Sequence, residues 1–275
     1  MRNHGSRFGL MRLGPHDHIG WIFSGTDEFS ALAEPFLAEG AKRNERLLYV
    51  AEDPDTSSFG SWKEALVPGT LTGATIAEVY GASGIVDAPK QRATFAQFLA
   101  DALAAGYTGI RVAADNSPLV LDSERIEAWM RWEIVADHFM SENPVTGLCA
   151  FDRSRIDLTS LQNLATVHPV WQADSDQPPF RLFSSDSSLW LEGEVNAFAV
   201  GQAQRALEDL PPSTGVIVDL TGTPAVTTDA IAALRQLCET GASVTVRGAT
   251  EIVRRLAQTG SGAPRNLSWM EPRGT

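Results

Sequence analysis

The chain has 275 residues, of which 43% are hydrophobic and 20% charged, a balance typical of a globular protein long enough for two domains. Its formal net charge of −12, without a cluster of basic residues, argues against nucleic acid or an anionic membrane as a partner. The 2 cysteines are too few for a disulfide framework or a cysteine-rich zinc site. No apolar run approaches the roughly 20 residues that span a bilayer. We therefore expect a cytoplasmic protein.

Composition divides the chain into four segments. Residues 1–15 have no continuous apolar core and are expected to form a flexible tail rather than a secretory signal. Residues 16–171 form a first globular segment. A polar, proline-containing linker at 172–179 precedes a second globular segment at 180–275.

The first globular segment alternates between extended and helical periodicity. In chain order, the pattern predicts a strand at 18–23, a helix at 27–43, a strand at 47–51, a helix at 91–105, a strand at 109–114, a helix at 123–140 and a strand at 147–151. Ser123 is the expected cap of the last helix. This alternation predicts an α/β three-layer sandwich with a mostly parallel sheet.

The turn after the first strand corresponds to a phosphate-binding loop. Residues 35–51 resemble the first helix and second strand of RecA/KaiC-type ATPases, in which a loop ending Gly-Lys-[Ser/Thr] precedes the helix. The corresponding stretch here, FSGTDEF at residues 23–29, keeps one glycine, lacks the lysine and places two carboxylates where a triphosphate would lie. No nucleophile motif is recognisable elsewhere. We therefore expect no enzymatic activity and no cofactor.

Several short motifs are spread over residues 16–171. They are Asp17-His18 before the first strand, Asp27-Glu28, Phe36-Leu37 with Gly40, LCAFDR at 148–153 and TVHP at 166–169. Together they resemble the MEDS domain, the methanogen/methylotroph DcmR sensory domain, which is similar to a KaiC fold without its phosphate loop. The resemblance implies a sensory module that binds small organic or hydrocarbon-derived ligands and is attached to a signalling output.

Three side chains of this segment are candidate ligand contacts. His18 is expected at the edge where a degenerate nucleotide pocket would open, to bind a ligand or else to order the chain entry. Trp21 is expected on the same strand face, lining the same apolar pocket or packing in the core. Glu133 lies among tryptophans, where a carboxylate with a raised pKa would accept a ligand hydrogen bond; the alternative is a solvated helix face.

No metal site is expected from these residues. The histidines at positions 16, 18, 138 and 168 do not share one helix or a metal-binding spacing. Cys149, on a predicted buried strand, is expected to act as a small hydrophobic residue rather than as a reactive thiol.

The second globular segment contains a strand, a turn and a helix in close succession. The strand-like run at 216–220 includes Asp219, and the helix begins near Thr228. A hydroxyl there is suited to accept a hydrogen bond from a free helix N–H, and a phosphate on it would face the positive end of the helix dipole. Thr228 is therefore either a helix cap or a phosphorylation switch.

The motifs of this segment, in chain order, are LWLEGEVN at 189–196, DLTG at 219–222 and PAVTT at 224–228. They resemble the STAS domain of bacterial anti-sigma-factor antagonists and stressosome proteins. In that family an Asp-Ser or Asp-Thr pair carries the phosphorylated hydroxyl, with which Thr228 aligns. Thr227 replaces the preceding acid, and an acid, Asp229, follows instead.

The two resemblances together imply a bacterial signalling regulator. A small-ligand or stress sensor would be coupled to a STAS output that binds an anti-sigma factor or serine/threonine switch kinase through Thr227, Thr228, Asp229 and Asp219. Phosphate on Thr228 would add about two negative charges and repel an acidic partner. The alternative is a non-catalytic ligand-binding scaffold in which the STAS-like segment serves dimerisation or stressosome-like assembly, which the missing acid at Thr227 favours.

Overall fold

The computed structural model describes residues 5–6, 13–172, 178–221, 227–258 and 264–270. The chain divides into two compact units, Met1–Gln177 and Pro178–Thr275, and both are mixed α/β. The expected α/β fold class is confirmed. Residues 173–177 of the expected linker, residues 222–226 of the loop before Thr227 and most of the expected tail lie outside the described residues. None of the described helices is long and apolar enough to cross a membrane.

The first unit is built on a parallel sheet whose described strands follow the order β1-β7-β2-β6-β5-β3-β4. Its strands are β1 (Gly5–Ser6), β2 (His18–Phe23), β3 (Arg46–Ala51), β4 (Leu71–Thr75), β5 (Ile110–Asp115), β6 (Val145–Asp152) and β7 (Val170–Gln172). Its helices are α1 (Thr26–Lys42), α2 (Ile76–Tyr80), α3 (Ala88–Ala104), α4 (Ser123–Glu142) and α5 (Leu158–Ala165), with 3₁₀ turns at Ser61–Ala65 and Ser117–Leu119.

Helices cover both faces of this sheet, as the three-layer prediction requires. The apolar side of α1 packs on one face, against residues such as Ile19, Phe23 and Leu148. The helix α4 packs on the other face, where Met140 reaches Gly147 of β6. Parallel strands buried on both faces have near-continuous apolar sequences, and all eight residues of β6 are buried.

The start of α4 differs by one residue from the sequence prediction. Asp122, not Ser123, is the N-cap, and its Oδ1 accepts a hydrogen bond from the N–H of Arg125 at 2.9 Å. Both residue types are good caps, but a carboxylate also interacts favourably with the positive end of the helix dipole.

A buried arginine crosses the interior below α1. Arg111 Nε donates to Glu45 Oε2 at 2.5 Å, and its other nitrogens reach the carbonyl oxygens of Phe36 and Leu13 at 3.5 and 3.3 Å. Its stem fills the space beside Gly40, where an added Cβ would come within 2.7 Å of Arg111 Cδ. The glycine in α1 is thus explained by the passage of the arginine.

The second unit has a five-stranded sheet in the order β12-β11-β10-β9-β8, in which β8 and β9 form an antiparallel hairpin and the other pairs are parallel. Its strands are β8 (Phe180–Ser185), β9 (Ser188–Gly193), β10 (Gly215–Asp219), β11 (Val244–Arg247) and β12 (Leu267–Met270). Its helices are α6 (Ala197–Asp209), α7 (Thr228–Cys238) and α8 (Glu251–Gln258).

Removing one member of the buried ion pair should destabilise the first unit. We expect Glu45→Ala to lower its free energy of unfolding by about 3–5 kcal/mol, because the guanidinium of Arg111 would stay buried without its counter-charge. Urea denaturation followed by tryptophan fluorescence measures the change. The double variant Glu45→Leu/Arg111→Met, which removes both charges, should recover most of the loss. A single variant as stable as the unmodified chain would show that this pair is not needed.

Candidate functional site

Five polar side chains are buried together between the sheet and α4. We call them the buried polar cluster, and they are His18, Glu133, Asp137, Cys149 and His168. His18, Glu133 and His168 are each 0% exposed. One donor atom from each of His18, Glu133, Cys149 and His168 lies within 4.8 Å of the other three. An isolated charge in such surroundings is costly, so these groups must satisfy one another.

Local structure explains how each member reaches the cluster. His18 begins β2 beside Gly147 of β6, and Cys149 pairs with Gly20 two residues further along the two strands. Glu133 and Asp137 are four residues apart in α4 and therefore share a face of the helix. His168 comes from the connection between α5 and β7.

Two glycines make room for the imidazole rings. A Cβ on Gly20 would lie 2.8 Å from Cγ of His168 and 2.3 Å from a ring carbon of Trp171. A Cβ on Gly147 would lie 2.7 Å from the Met140 methyl group. Both distances are shorter than van der Waals contact, so a side chain at either position would displace the groups around the cluster.

The imidazole of His18 links two carboxylates. Its Nδ1 donates to Asp137 Oδ1 at 3.0 Å, and its Nε2 lies 3.0 Å from Glu133 Oε2. The second carboxylate oxygen, Glu133 Oε1, is 3.5 Å from Nε2 of His168, whose Nδ1 donates to the Leu164 carbonyl at 2.7 Å. The thiol of Cys149 lies 3.5 Å from His18 Nε2 and 3.8 Å from Glu133 Oε2.

These contacts shift the protonation equilibria of the cluster. Burial alone would lower the pKa of His18, but its hydrogen bonds with Asp137, Cys149 and Glu133 raise that pKa well above its usual value. Burial alone would raise the pKa of Glu133, but the imidazoles of His168 and His18 lower it to about 2. Burial and the Glu133 carboxylate together raise the pKa of the Cys149 thiol to about 12. These shifts favour the charged form of His18, the ionised form of Glu133 and the protonated thiol of Cys149.

The structure corrects three expectations about the candidate ligand contacts. His18 is not at the edge of a nucleotide pocket, because it lies at the beginning of β2 and the loop follows the end of that strand. A strand of six residues separates its two ends by roughly 16 Å. Trp21 does not share its face, because it lies three residues on and side chains alternate; it packs with the core below α1. Glu133 is fully buried, and its pKa is lowered rather than raised.

A small apolar cavity borders the cluster. Its volume is about 20 Å³, room for about one water molecule. Glu133 and Cys149 form part of its wall, and most of the remaining wall is apolar or aromatic, including Tyr80, Phe95, Trp132, Phe139, Met140 and Leu148. A few polar groups in an otherwise apolar wall are typical of small-molecule sites.

Two amides of the loop after β2 already have carboxylate partners. The N–H of Ser24 donates to Glu28 Oε2 at 2.6 Å, and the N–H of Gly25 donates to Asp152 Oδ2 at 3.4 Å. In a phosphate-binding loop such N–H groups point at the ligand. Here the two carboxylates accept these hydrogen bonds in place of a phosphate.

In the second unit, the candidate residues lie around the start of α7. Thr227, Thr228 and Asp229 are all exposed. The N-cap of α7 is Thr227, whose Oγ1 accepts from the N–H of Ala230 at 3.2 Å, so the capping role considered for Thr228 belongs to its neighbour. Asp219 ends β10, is 7% exposed and pairs with Arg247 at 3.1 Å.

The amino-acid sequence does not show that Asp137, Cys149 and His168 lie beside His18 and Glu133. The available signal was the pair of acids four residues apart in the apolar middle of α4, a spacing that places both on one buried face. Nothing in the local sequence indicates that His168 or Cys149 faces the same point.

Comparison with known proteins agrees with the first unit's expected resemblance. The family model of MEDS, the methanogen/methylotroph DcmR sensory domain, matches residues 17–169. A search among curated proteins returns no match. Because residues 17–169 make up more than half of the chain, the protein belongs to the MEDS family of sensory domains.

Proposed function

We propose that the protein is a signalling regulator in which the MEDS domain senses a small organic ligand and the second unit acts as a STAS-type output. The output would bind an anti-sigma factor or a serine/threonine switch kinase. The observation that carries the sensory part is the apolar cavity whose wall includes the buried groups of Glu133 and Cys149.

The cavity favours a small, mostly apolar ligand. At about 20 Å³ it is close to collapsed, so a ligand larger than water must displace part of the wall. Met140 is suited to move, because an unbranched thioether side chain changes rotamer easily. A ligand that moves Met140 would also disturb Gly147 and the ring of His18 beside it. Ligand binding and the buried polar cluster are thereby coupled.

The sensory unit is proposed to act without catalysis. The amides of Ser24 and Gly25 are bonded to carboxylates, which repel a polyphosphate at the position where an ATPase binds one. The thiol of Cys149 has a pKa of about 12, so it is protonated at neutral pH and a weak nucleophile.

Several features of the second unit support the output role. A hairpin, the helix α6, a strand ending in Asp219 and a helix beginning at Thr228 follow in this order, and the three motifs of the STAS resemblance begin in the hairpin and end at the start of α7. The hydroxyl of Thr227 accepts the capping hydrogen bond of α7, whereas Thr228 is exposed and is not the cap. A phosphate on Thr228 would add negative charge beside Asp229 at the partner-facing end of α7. Asp219 contributes less to repulsion, because Arg247 neutralises it.

The second candidate function is a non-catalytic scaffold in which the second unit serves self-association. It is favoured by the residue at position 227, where a capping threonine stands in place of the acid that precedes the phosphorylated hydroxyl in the STAS family.

Filling the cavity should abolish ligand binding. We expect the full chain to bind a small apolar probe, dichloromethane, saturably, and Ala136→Leu to weaken that binding at least about tenfold, since overfilling a packed interior costs about 1–3 kcal/mol. Calorimetric titration measures both affinities. Ala100→Leu makes the same change at an exposed position of α3 and should bind like the unmodified chain. Equal binding by Ala136→Leu would place the ligand elsewhere.

Phosphate on Thr228 should switch off partner binding. Against purified switch kinases and anti-sigma factors of the source organism, Thr228→Ala should bind as the unmodified chain does. Enzymatic phosphorylation of Thr228 should weaken binding about 100-fold or more, because like charges brought together cost several kcal/mol.

The neighbouring threonine supplies the matched control for this switch. Thr227→Ala should lower the free energy of unfolding by about 1 kcal/mol through loss of the cap, and this variant should still lose partner binding when Thr228 is phosphorylated. An affinity that does not respond to phosphate contradicts the switch. Sedimentation showing self-association with no binding to any of these partners would favour the scaffold.

Adenine nucleotides should not bind. Titration of the full chain with ATP and Mg²⁺ is expected to give no heat of binding, because the loop amides already have carboxylate partners. Saturable binding or release of phosphate would contradict a non-catalytic role.

A further inference from the structure

Four residues of the buried polar cluster form a set of nitrogen, oxygen and sulfur donors. His18 comes from β2, Glu133 from α4, Cys149 from β6 and His168 from the connection before β7, and all four are buried. We propose that these four side chains bind a divalent transition-metal ion in tetrahedral geometry, and that Zn²⁺ is the ion the donor set fits best.

The distances between donor atoms lie around those of a tetrahedral site, with one pair shorter and the outer limit longer. Bonds of about 2.0–2.3 Å to nitrogen, oxygen and sulfur give edges of about 3.3–3.8 Å in a regular tetrahedron. His18 Nε2 lies 3.0 Å from Glu133 Oε2 and 3.5 Å from Cys149 Sγ, which is 3.8 Å from the same carboxylate oxygen. No pair among the four donors exceeds 4.8 Å.

Both imidazoles are oriented as metal ligands usually are. The Nδ1–H of His18 donates to Asp137, and that of His168 donates to the carbonyl of Leu164. A metal-binding histidine commonly donates its other ring N–H to a carboxylate or a backbone carbonyl, which fixes the ring and its tautomer. This structure supplies one of each kind and directs both Nε2 atoms into the cluster.

Hydrogen bonding alone leaves part of the cluster unsatisfied. The Nε2 atom of His168 and the Oε1 atom of Glu133 have no hydrogen-bond partner among the described residues, although both side chains are 0% exposed. They lie 3.5 Å from each other. Buried polar groups normally have partners. A metal ion among the four donors would give His168 Nε2 a bond and would draw the carboxylate of Glu133 toward it.

The chemistry of the donors selects the ion. A thiolate and two imidazoles are poor ligands for Mg²⁺ and Ca²⁺, which prefer oxygen, and good ligands for Zn²⁺. One thiolate and one carboxylate neutralise the double charge of the ion. Binding displaces the Nε2 proton of His18 and the thiol proton of Cys149 to solvent. The ion would then border the cavity, because Glu133 and Cys149 belong to its wall.

This inference goes beyond the proposed function and does not depend on the STAS assignment. Cobalt tests it directly on the metal-free full chain. We expect Co²⁺ to bind in a ratio of one ion per chain with the absorption of a tetrahedral centre and a thiolate-to-cobalt charge-transfer band, and Zn²⁺ to displace it.

Matched variants then identify the ligands. Cys149→Ser should remove the charge-transfer band, whereas Cys238→Ser, which changes the other buried cysteine, should keep it. Asp137→Asn should weaken Co²⁺ binding about 10–100-fold while retaining the band, because this residue only orients His18. His138→Gln, on the same helix, should change neither property. Circular dichroism confirms that each variant is folded.

The unmodified chain alone is sufficient to decide the question if Cys149→Ser does not fold. Failure of the unmodified chain to bind Co²⁺ or Zn²⁺, or a cobalt spectrum without a thiolate band, would overturn the proposal. Loss of the band in Cys238→Ser but not in folded Cys149→Ser would overturn it as well.

Discussion

The carboxylate of Glu133 is fully buried between α4 and the sheet, where an unpaired charge would cost several kcal/mol. One of its oxygens faces His18 and the other faces His168, and His18 is held in turn by Asp137. To satisfy this charge, α4 must present one particular face to the sheet, and β2 and β6 must pair in the register that places Cys149 beside His18. The requirements of a single carboxylate thereby constrain three secondary-structure elements and one connection.

The buried polar cluster lies away from the place where α/β sheets of this kind usually bind a ligand. In open α/β sheets, ligands usually bind beyond the carboxyl ends of the strands. At that edge the N–H groups of Ser24 and Gly25 donate to the carboxylates of Glu28 and Asp152. The buried polar cluster lies instead at the beginning of β2, under α4, and shares two wall residues with the apolar cavity. A sensory role for a MEDS domain fits this arrangement, because the Glu133 side chain belongs both to the cluster that holds α4 on the sheet and to the wall of the cavity.

Two adjacent threonines of the second unit differ in what they contribute. Thr227 caps α7 and contributes to its stability, whereas Thr228 begins the helix with an exposed hydroxyl. A modification of Thr228 therefore leaves the cap intact and changes the surface charge. The salt bridge between Asp219 and Arg247 joins the ends of β10 and β11. The carboxylate of Asp219 therefore contributes to the sheet rather than to the charge of the surface.

The amino-acid sequence by itself determined the layered α/β class and the longer elements of the first unit, since period-2 and period-3.6 apolar patterns are local and β2, α1 and β3 follow them to within one residue. The shorter elements β4, α2, α5 and β7 were not predicted. The sequence also shows that residues 23–29 contain two acids and no lysine, because that stretch can be read directly from the chain. Only the tertiary structure decided which polar residues meet. His18 and Cys149 are 131 residues apart and touch because β2 and β6 pair in parallel, a contact that no local pattern encodes. The tertiary structure also decided that the pKa of Glu133 is lowered. Burial alone would raise it, but the imidazoles of His168 and His18 have the larger effect.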